Sequence, residues 1–285
     1  MPDEPPIETP SRLAEAYALL ARERLTPIAG GTDIMVRITG EIGPPPERMI
    51  DLSRLDALVG ITLEAGALVL GARTTFTEIR GSALCREHLP ALVAAAATIG
   101  ALQIQNRGTL GGNIANASPA GDTLPVLLAA DAEIVLGSHR EERTVPAAAF
   151  FTGYRQTALA PDELILRVRF PLPRGRVIRF RKVGTRRAQA ISKVVMAVAW
   201  RDHGAASGWS DVRVALGSVA PTPIRAARTE AVLEGERPSP EVADLAAETL
   251  AAELSPIDDV RSTADYRRTV AARVLHRIVR DAGGW

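Results

Sequence analysis

Two glycine-rich segments, about eighty residues apart, constrain this chain more than any other feature. The first is Ala29-Gly30-Gly31-Thr32-Asp33, and the second runs from Thr109 through Gly111-Gly112-Asn113 to Asp122. A glycine pair lets the backbone adopt a positive φ and lets a ligand approach without meeting a Cβ atom. Successive backbone N–H groups in such a turn form a concave nest that binds anions. Two such turns, brought together by the fold, are suited to hold both phosphates of a dinucleotide.

Small polar side chains surround both glycine pairs. Hydroxyl groups come from Thr32, Thr109 and Ser118, and amide groups come from Asn113 and Asn116. Neither segment is a P-loop, since no Gly-Lys-Ser/Thr follows, and neither has the G-x-G-x-x-G of a Rossmann fold. Either Gly-Gly pair alone is compatible with an ordinary tight turn, so the extended second segment is what favours a bound cofactor.

Composition excludes several classes of function. The chain has 285 residues, enough for two domains or one large domain, and 46% of them are hydrophobic. A formal net charge of +1 argues against a nucleic-acid or membrane surface built on bulk charge. An aromatic content of 4% leaves no stacking platform for bases. We therefore expect neither a nucleic-acid partner nor a membrane span, since no apolar run is long enough to cross a bilayer.

Cysteine and histidine usage limits the metal chemistry. The only cysteine is Cys85, which rules out an internal disulfide and a cysteine-ligated iron–sulfur cluster on this chain. A lone thiol fits a reducing cytoplasm, and the acidic, proline-rich residues 1–10 have no apolar region typical of a signal peptide. The four histidines are scattered without metal-ligand spacing, so no metal site is predicted.

The hydrophobic pattern predicts a small α/β unit at the N-terminus and an α+β unit at the C-terminus. The first half suggests helices and strands at 12–24 (capped by Ser11), 26–29, 48–52, 60–64, 67–71, 89–101, 125–130, 132–137 and 163–170. Thr75 and Glu78 have the spacing of a capping box. Strands at 176–183, 193–201 and 211–219 precede helices at 224–234, 240–254 and 263–281, which suggests helices packed on an antiparallel sheet.

From about residue 10 to about residue 280, the chain resembles the FAD-binding subunits of molybdenum hydroxylases, the xanthine dehydrogenase and carbon monoxide dehydrogenase group. The resemblance is carried by the two glycine-rich segments and by Gly71-Ala72-Arg73-Thr74-Thr75. Further motifs favour a xanthine dehydrogenase type: Phe150-Phe151-Thr152-Gly153-Tyr154-Arg155 with Pro161-Asp162-Glu163, Arg186-Arg187 with Ile191-Ser192-Lys193, and Gly217-Ser218-Val219-Ala220-Pro221-Thr222-Pro223.

The resemblance implies an α+β fold and a set of cofactor contacts. Residues 1–55 would form the N-terminal α/β part of an FAD domain, 56–173 its main part, and 176–282 a C-terminal α+β domain. The residues expected to bind FAD are Ala29, Gly30, Gly31, Thr32, Asp33, Ile99, Gly108, Thr109, Gly111, Gly112, Asn113, Asn116, Ser118, Asp122, Ile165 and Lys193. The first turn would hold the pyrophosphate. Ile99 stands where some relatives place an aromatic side chain over the flavin.

The implied activity is electron transfer, with the flavin and no catalytic side chain carrying the chemistry. The molybdenum cofactor and 2Fe–2S clusters would lie on partner subunits, and NAD, oxygen or another carrier would accept the electrons. The motifs at Phe150 and Arg186 favour a dehydrogenase of xanthine or another N-heterocycle, with an aldehyde or carbon monoxide enzyme as the alternative. Two rivals belong to other classes: a self-sufficient flavin reductase, and a binding protein that has lost the flavin.

Three charged residues keep alternative roles at this point. Asp122 either accepts hydrogen bonds from the cofactor or caps the helix that begins near Thr123. Lys193 either stabilises negative charge on the reduced ring or ends a solvated strand. Asp33 is expected to be structural, since a carboxylate repels phosphate.

Overall fold

The N-terminal part forms a small parallel sheet with the first glycine turn at its edge. The computed structural model describes residues 5–39, 43–201, 203 and 207–285, so residues 1–4 and 40–42 of the predicted N-terminal unit lie outside it. The parallel strands have the order β1-β3-β2: β1 (Ile7–Glu8), β2 (Thr26–Ile28) and β3 (Met49–Asp51). Two helices accompany them: α1 (Leu13–Arg22) and α2 (Ile34–Ile38), which directly follows the turn.

The start of α1 differs from the prediction. Its N-cap is Arg12, and Ser11 instead donates from its backbone N–H and its hydroxyl to Glu15 Oε2, at 3.0 and 3.2 Å. The expected capping role of Ser11 is therefore wrong, because its hydroxyl pairs with a carboxylate in the first turn rather than with a backbone N–H.

A five-stranded antiparallel sheet forms the main part of the predicted FAD domain. Its spatial order is β4-β5-β10-β6-β7, with β4 (Ile61–Glu64), β5 (Ala67–Gly71), β6 (Glu133–Gly137), β7 (Glu142–Pro146) and β10 (Leu164–Pro171). The predicted hairpin of β4 and β5 is confirmed, with Glu64 opposite Ala67. A separate two-stranded hairpin, β8 (Phe151–Gly153) and β9 (Gln156–Thr157), projects between β7 and β10 in sequence.

Seven short helices connect or flank these strands, and six of them, all but the helix over 102–107, add buried apolar residues to the core that they share with the sheet. They are α3 (Phe76–Gly81), α4 (Ala83–His88), α5 (Pro90–Ala96), α6 (Leu102–Arg107), α7 (Leu110–Asn116), α8 (Leu124–Ala129) and α9 (Ala147–Phe150). The capping box of Thr75 and Glu78 at the start of α3 is confirmed. The single helix predicted over 89–101 is wrong: α5 ends at Ala96, and Gly100, with φ +50°, turns the chain into α6.

The C-terminal part is an antiparallel sheet covered by three helices, which confirms the α+β prediction. The sheet order is β11 (Arg176–Val183), β12 (Val194–Arg201), β13 (Ser210–Gly217) and β14 (Ile224–Arg225). The helices are α10 (Ala227–Leu233), α11 (Pro240–Glu253) and α12 (Ala264–Gly283). The predicted helix at 224–234 begins later than expected because residues 224–225 pair with β13 as an edge strand. None of the helices in the described part of the chain is long and apolar enough to cross a bilayer.

Strand β12 joins the two parts because both of its faces are buried. Successive side chains of a strand point to opposite faces. Val195, Ala197 and Ala199 therefore belong to the core of the five-stranded sheet and its helices. Val194, Met196 and Val198 belong to the core beneath α11 and α12. The end of the second glycine segment, which leads into α8, thus lies at the junction of the two parts.

Candidate cofactor site

The first glycine-rich segment touches the residues that directly precede the second, and Asn116 of the second bonds to Asp33 of the first. A Cβ atom on Gly30 would lie 1.8 Å from the carbonyl oxygen of Arg107 and 3.0 Å from the backbone nitrogen of Gly108. Backbone atoms cannot move aside as a flexible side chain can, so only glycine allows this approach. Strand β2 delivers Gly30 to the contact, and the end of α6 delivers Arg107 and Gly108. The predicted meeting of the two segments is therefore confirmed.

The first turn keeps its backbone donors free. Gly31 adopts a φ of +74°, which suits glycine. Among the described residues, the backbone N–H groups of Gly30, Gly31 and Thr32 have no acceptor. Neighbouring N–H groups without partners are suited to an anion. The geometry of this turn is that of the nest predicted from the sequence.

The second segment is a helix rather than an anion-binding turn. Thr109 is the N-cap of α7, and its hydroxyl accepts from Gly112 N at 3.1 Å. Asn113 N donates to Thr109 O at 3.0 Å, and Leu110 N donates to Thr74 O at 2.9 Å. A second nest was predicted here, and this is wrong, because the cap and the neighbouring loop use the N–H groups.

Gly111 and Gly112 serve different purposes in this helix. Gly111 is buried, donates to Ala72 O at 2.8 Å, and would place a Cβ atom 2.7 Å from the Cβ of Ala72. Gly112 is exposed, and apart from its chain neighbours and the backbone of its own helix, the described atom within 4 Å of its would-be Cβ is Thr109 Oγ1 at 3.0 Å. Gly111 therefore packs α7 against the strands, whereas Gly112 leaves room for a ligand on the outer side.

A chain of polar side chains links the two segments on their exposed side. Asn116 Nδ2 donates to Asp33 Oδ1 at 3.2 Å. Arg155 Nη1, from the tip of the β8–β9 hairpin, donates to Asn116 Oδ1 at 2.7 Å. Thr123 Oγ1 donates to Asn113 Oδ1 at 2.6 Å, and the amide nitrogen of Asn113 has no acceptor among the described residues. The bond between Asp33 and Asn116 fits a structural role for Asp33, and this role stays a prediction.

Asp122 lies buried at the junction of the two parts and pairs with a lysine. Lys182 Nζ, from β11, donates to Asp122 Oδ2 at 2.5 Å and to the carbonyl of Thr98 at 2.9 Å. Burial raises the pKa of the Asp122 carboxyl to about 6, although Lys182 opposes the shift. The second oxygen, Oδ1, is buried and has no hydrogen-bond partner within 3.5 Å among the described residues. Asp122 does not cap α8, whose N-cap is Thr123 with no side-chain bond, so that alternative is wrong.

Lys182 is the residue that the sequence analysis missed. The signal was the alternation in β11, which places Lys182 on the same face of the strand as Ile178 and Phe180, on the side of the main core. Lys193, which was predicted near the flavin edge, places its Nζ 4.8 Å from the ring centre of Tyr266 in α12. The structure thus brings Lys182, rather than Lys193, to the second glycine segment.

The remaining predicted residues lie around these contacts. Ile99 is half-buried, and its carbonyl accepts from Gln105 Nε2 at 2.9 Å. Ser118 Oγ accepts from Ala120 N at 3.3 Å. Ile165 is buried in β10 opposite Leu136, inside the main core. Their contacts with a cofactor stay predictions, and for Ile165 the surroundings are those of a core residue.

Comparisons with known proteins decide the family. A family model described as the FAD binding domain in molybdopterin dehydrogenase matches residues 5–173. The chain belongs to this family of FAD-binding flavoproteins. A second model, described as the CO dehydrogenase flavoprotein C-terminal domain, matches residues 179–282. The recognition of a molybdenum hydroxylase flavoprotein from its glycine-rich motifs is therefore confirmed.

Relatives of this flavoprotein match over nearly its whole length. It is 33% identical over 282 residues to the xanthine dehydrogenase FAD-binding subunit of Escherichia coli O157:H7, covering 95% of each chain. It is 32% identical over 276 residues to the carbon monoxide dehydrogenase medium chain of Hydrogenophaga pseudoflava, covering 96% of this chain and 95% of the relative. A solved structure of carbon monoxide dehydrogenase from Hydrogenophaga pseudoflava, lacking the Mo-pyranopterin moiety, superimposes with a TM-score of 0.91 at 32% identity, covering 97% of this chain and 96% of that one.

The donor set of the flavoprotein fits FAD. The free N–H groups of the first turn suit a diphosphate, and the amide nitrogen of Asn113 is a further donor. The unpaired Oδ1 of Asp122 is an acceptor of the kind that a ring or ribityl donor would satisfy. A Cβ atom on Gly112 would face solvent, with Thr109 Oγ1 at 3.0 Å as its near neighbour among the described side chains. In the described part of the chain, no group of three or more His, Cys, Asp or Glu side chains is placed to hold a metal ion.

Proposed function

We propose that this flavoprotein is the electron-transfer subunit of a molybdenum-containing dehydrogenase. It takes electrons from iron–sulfur clusters on a partner subunit and passes them to NAD or another acceptor. FAD supplies redox chemistry when bound, because a flavin stores two electrons and can exchange them singly. The chain's own residues bind and orient the cofactor: the first turn holds the diphosphate, and the outer side of α7 with Asn113 and Asp122 holds the rest.

The observation that carries this proposal is the contact of the two glycine segments. Gly30 sits against Arg107 and Gly108 so closely that a Cβ atom has no room, and the adjoining turn keeps its N–H groups free. A fold that needed only a tight turn would not require both features. A dinucleotide lying across the two segments needs both: the close approach brings the segments together, and the free N–H groups bind its phosphates.

Partner subunits are part of the proposal because this chain cannot hold the other redox centres. Its single cysteine, Cys85, is buried in α4, whereas a 2Fe–2S cluster takes four protein ligands. The C-terminal match to the CO dehydrogenase flavoprotein domain favours a partner-dependent subunit over a self-sufficient reductase. The molybdenum cofactor and clusters are therefore placed on other chains. A cytoplasmic location stays a prediction.

For the substrate, we propose xanthine or another N-heterocycle. The 33% identity to a xanthine dehydrogenase FAD-binding subunit supports this choice, together with the motifs at Phe150 and Arg186. An aldehyde or carbon monoxide is the alternative, supported by the 32% identity to a carbon monoxide dehydrogenase medium chain. The substrate would bind on the molybdenum subunit, so only the assembled enzyme can distinguish them.

Turnover is expected to depend on partner subunits. The purified chain should oxidise no purine, aldehyde or carbon monoxide, because neither molybdenum nor clusters reside on it. When the chain is co-expressed with its partner subunits, the assembled enzyme should reduce NAD or an artificial acceptor in the presence of one of these substrates. The substrate with the highest rate then identifies the substrate class. Hydroxylation by the partner-free, metal-free chain would contradict the proposal.

A further inference from the structure

The β8–β9 hairpin is a firmly anchored arm whose role is not explained by the core. It is built from the Phe150-to-Arg155 motif. At its base, Phe150 is fully buried and packs edge-on against Phe151, with ring centres 5.3 Å apart. Ala158 N donates to Phe150 O at 2.8 Å, which closes the hairpin. Its tip, Tyr154 and Arg155, is exposed.

A partly buried ion pair fixes the residues that follow the return strand of this arm. Arg143 donates from Nε and Nη2 to the two oxygens of Glu163, at 2.6 and 2.7 Å, and Nη2 also donates to the carbonyl of Ala158 at 2.7 Å. Only 6% of Glu163 is exposed, and the bonds from Arg143 lower its pKa. Two-point pairing of this kind sets geometry as well as energy. The arm is therefore held in one position, and so is its tip.

The tip bonds to the second glycine segment and is linked through it to the first. Arg155 adopts a φ of +53°, a backbone conformation that is costly for a residue with a side chain and needs support from its surroundings. From there its guanidinium donates to Asn116 at 2.7 Å, and Asn116 donates in turn to Asp33 at 3.2 Å. Arg155 is 39 residues from Asn116, and Asn116 is 83 residues from Asp33. A long-range arm with a strained tip ends beside the turn that has free N–H groups.

The charge of Arg155 suggests why the tip of the arm lies beside the first turn. A diphosphate at the first turn meets the carboxylate of Asp33, the residue that follows the free N–H groups, and like charges repel. The guanidinium of Arg155 is permanently positive, and two of its nitrogens remain available after the bond to Asn116. We propose that Arg155 is a positioning residue that fixes Asn116 and supplies the positive charge that offsets Asp33 at the diphosphate end of the FAD site. This inference rests on the proposed cofactor function of the two segments.

The test measures the dissociation constant of FAD for the full chain at low and moderate salt. Arg155→Gln is expected to raise Kd about tenfold at low salt, as for loss of one partly exposed charged contact. Arg155→Lys should recover part of the affinity, because it restores charge without the planar fork. The salt dependence of Kd should be weaker in Arg155→Gln than in the wild type, which a purely structural role would not produce. Arg174→Gln, an exposed charge in the β10–β11 turn, is the matched control and should leave Kd unchanged.

A second variant, at Asp33, tests the charge balance while Arg155 stays in place. Asp33→Asn is expected to lower Kd, and the effect of Arg155→Gln in the Asp33→Asn background should be smaller. If the wild type binds FAD and Arg155→Gln matches it in Kd and in salt dependence, the inference is overturned and the proposed function stands. If the wild type takes up no FAD, both fall together. Thermal unfolding of each variant separates altered binding from altered folding.

Discussion

Gly112→Val is expected to fold normally and to lose FAD. Among the described side chains, a Cβ atom at this exposed helical position meets Thr109 Oγ1 at 3.0 Å, so that hydroxyl must shift by a few tenths of an ångström to accept it. Valine is also a better helix former than glycine. The branched side chain would instead occupy the space left open on the outer side of α7. The FAD absorbance retained after desalting should fall below a tenth of the wild-type value, because steric overlap of the valine side chain with FAD weakens binding by more than about 1.4 kcal/mol.

Comparison with a second glycine removes the effect of helix propensity. Gly81, in α3, has no atom within 4 Å of its would-be Cβ, so Gly81→Val makes the same change in open space. Gly81→Val should keep its FAD. Substitutions at Gly30 or Gly111 are unsuitable because their new Cβ atoms would lie 1.8 and 2.7 Å from other protein atoms and would damage the fold. A folded Gly112→Val protein with full FAD content would remove α7 from the cofactor site.

Lys182→Met is expected to destabilise the chain by about 3 kcal/mol at pH 8, because it leaves the Asp122 carboxylate buried without its cation. The aliphatic part of methionine replaces most of the lysine stem, so lost packing is a minor contribution. Chemical unfolding at a fixed FAD concentration gives the free energy of unfolding. Arg181→Met, at the adjacent exposed position of β11, is the control and should change it by less than about 0.5 kcal/mol.

The pH dependence follows from the pKa of Asp122. Because burial raises its folded pKa to about 6, the folded state holds the proton more tightly than the unfolded state does. This carboxyl therefore costs stability as pH rises from its ordinary pKa of 3.8 to about 6, and the cost is constant above that. Without Lys182 the folded pKa rises further, so the deficit of Lys182→Met should grow as pH rises above about 6. When Lys182→Met is made in the Asp122→Asn background, the loss of unfolding free energy relative to Asp122→Asn alone should not depend on pH. A pH dependence that persists there would assign the titration to another group.

Much of the site could be predicted because its motifs are local in sequence. The spacing of Thr75 and Glu78 specifies a capping box, and the glycine pair after β2 specifies a turn with positive φ, without help from distant residues. Strands and helices of the C-terminal part were predicted within a few residues because their apolar patterns are long. The order of strands followed by helices then indicated the α+β architecture.

Predictions failed where tertiary contacts decide between local alternatives. Thr109 followed by two glycines suits either a turn or a capped helix, and the acceptors at Ala72 and Thr74, brought from another segment, select the helix. Lys182 and Lys193 are both basic residues near strand ends, and the packing of β11 against α5 and α8 is what brings Lys182 to Asp122. The same holds for Arg155, whose partner Asn116 is distant in sequence.

The most direct test of the account is the absorption spectrum of the purified chain, with the released cofactor identified by chromatography. We expect a flavin spectrum and FAD in equimolar amount with the chain. A colourless chain that takes up no added FAD, alone or assembled with its partner subunits, would contradict it, and the two glycine segments would then be purely structural.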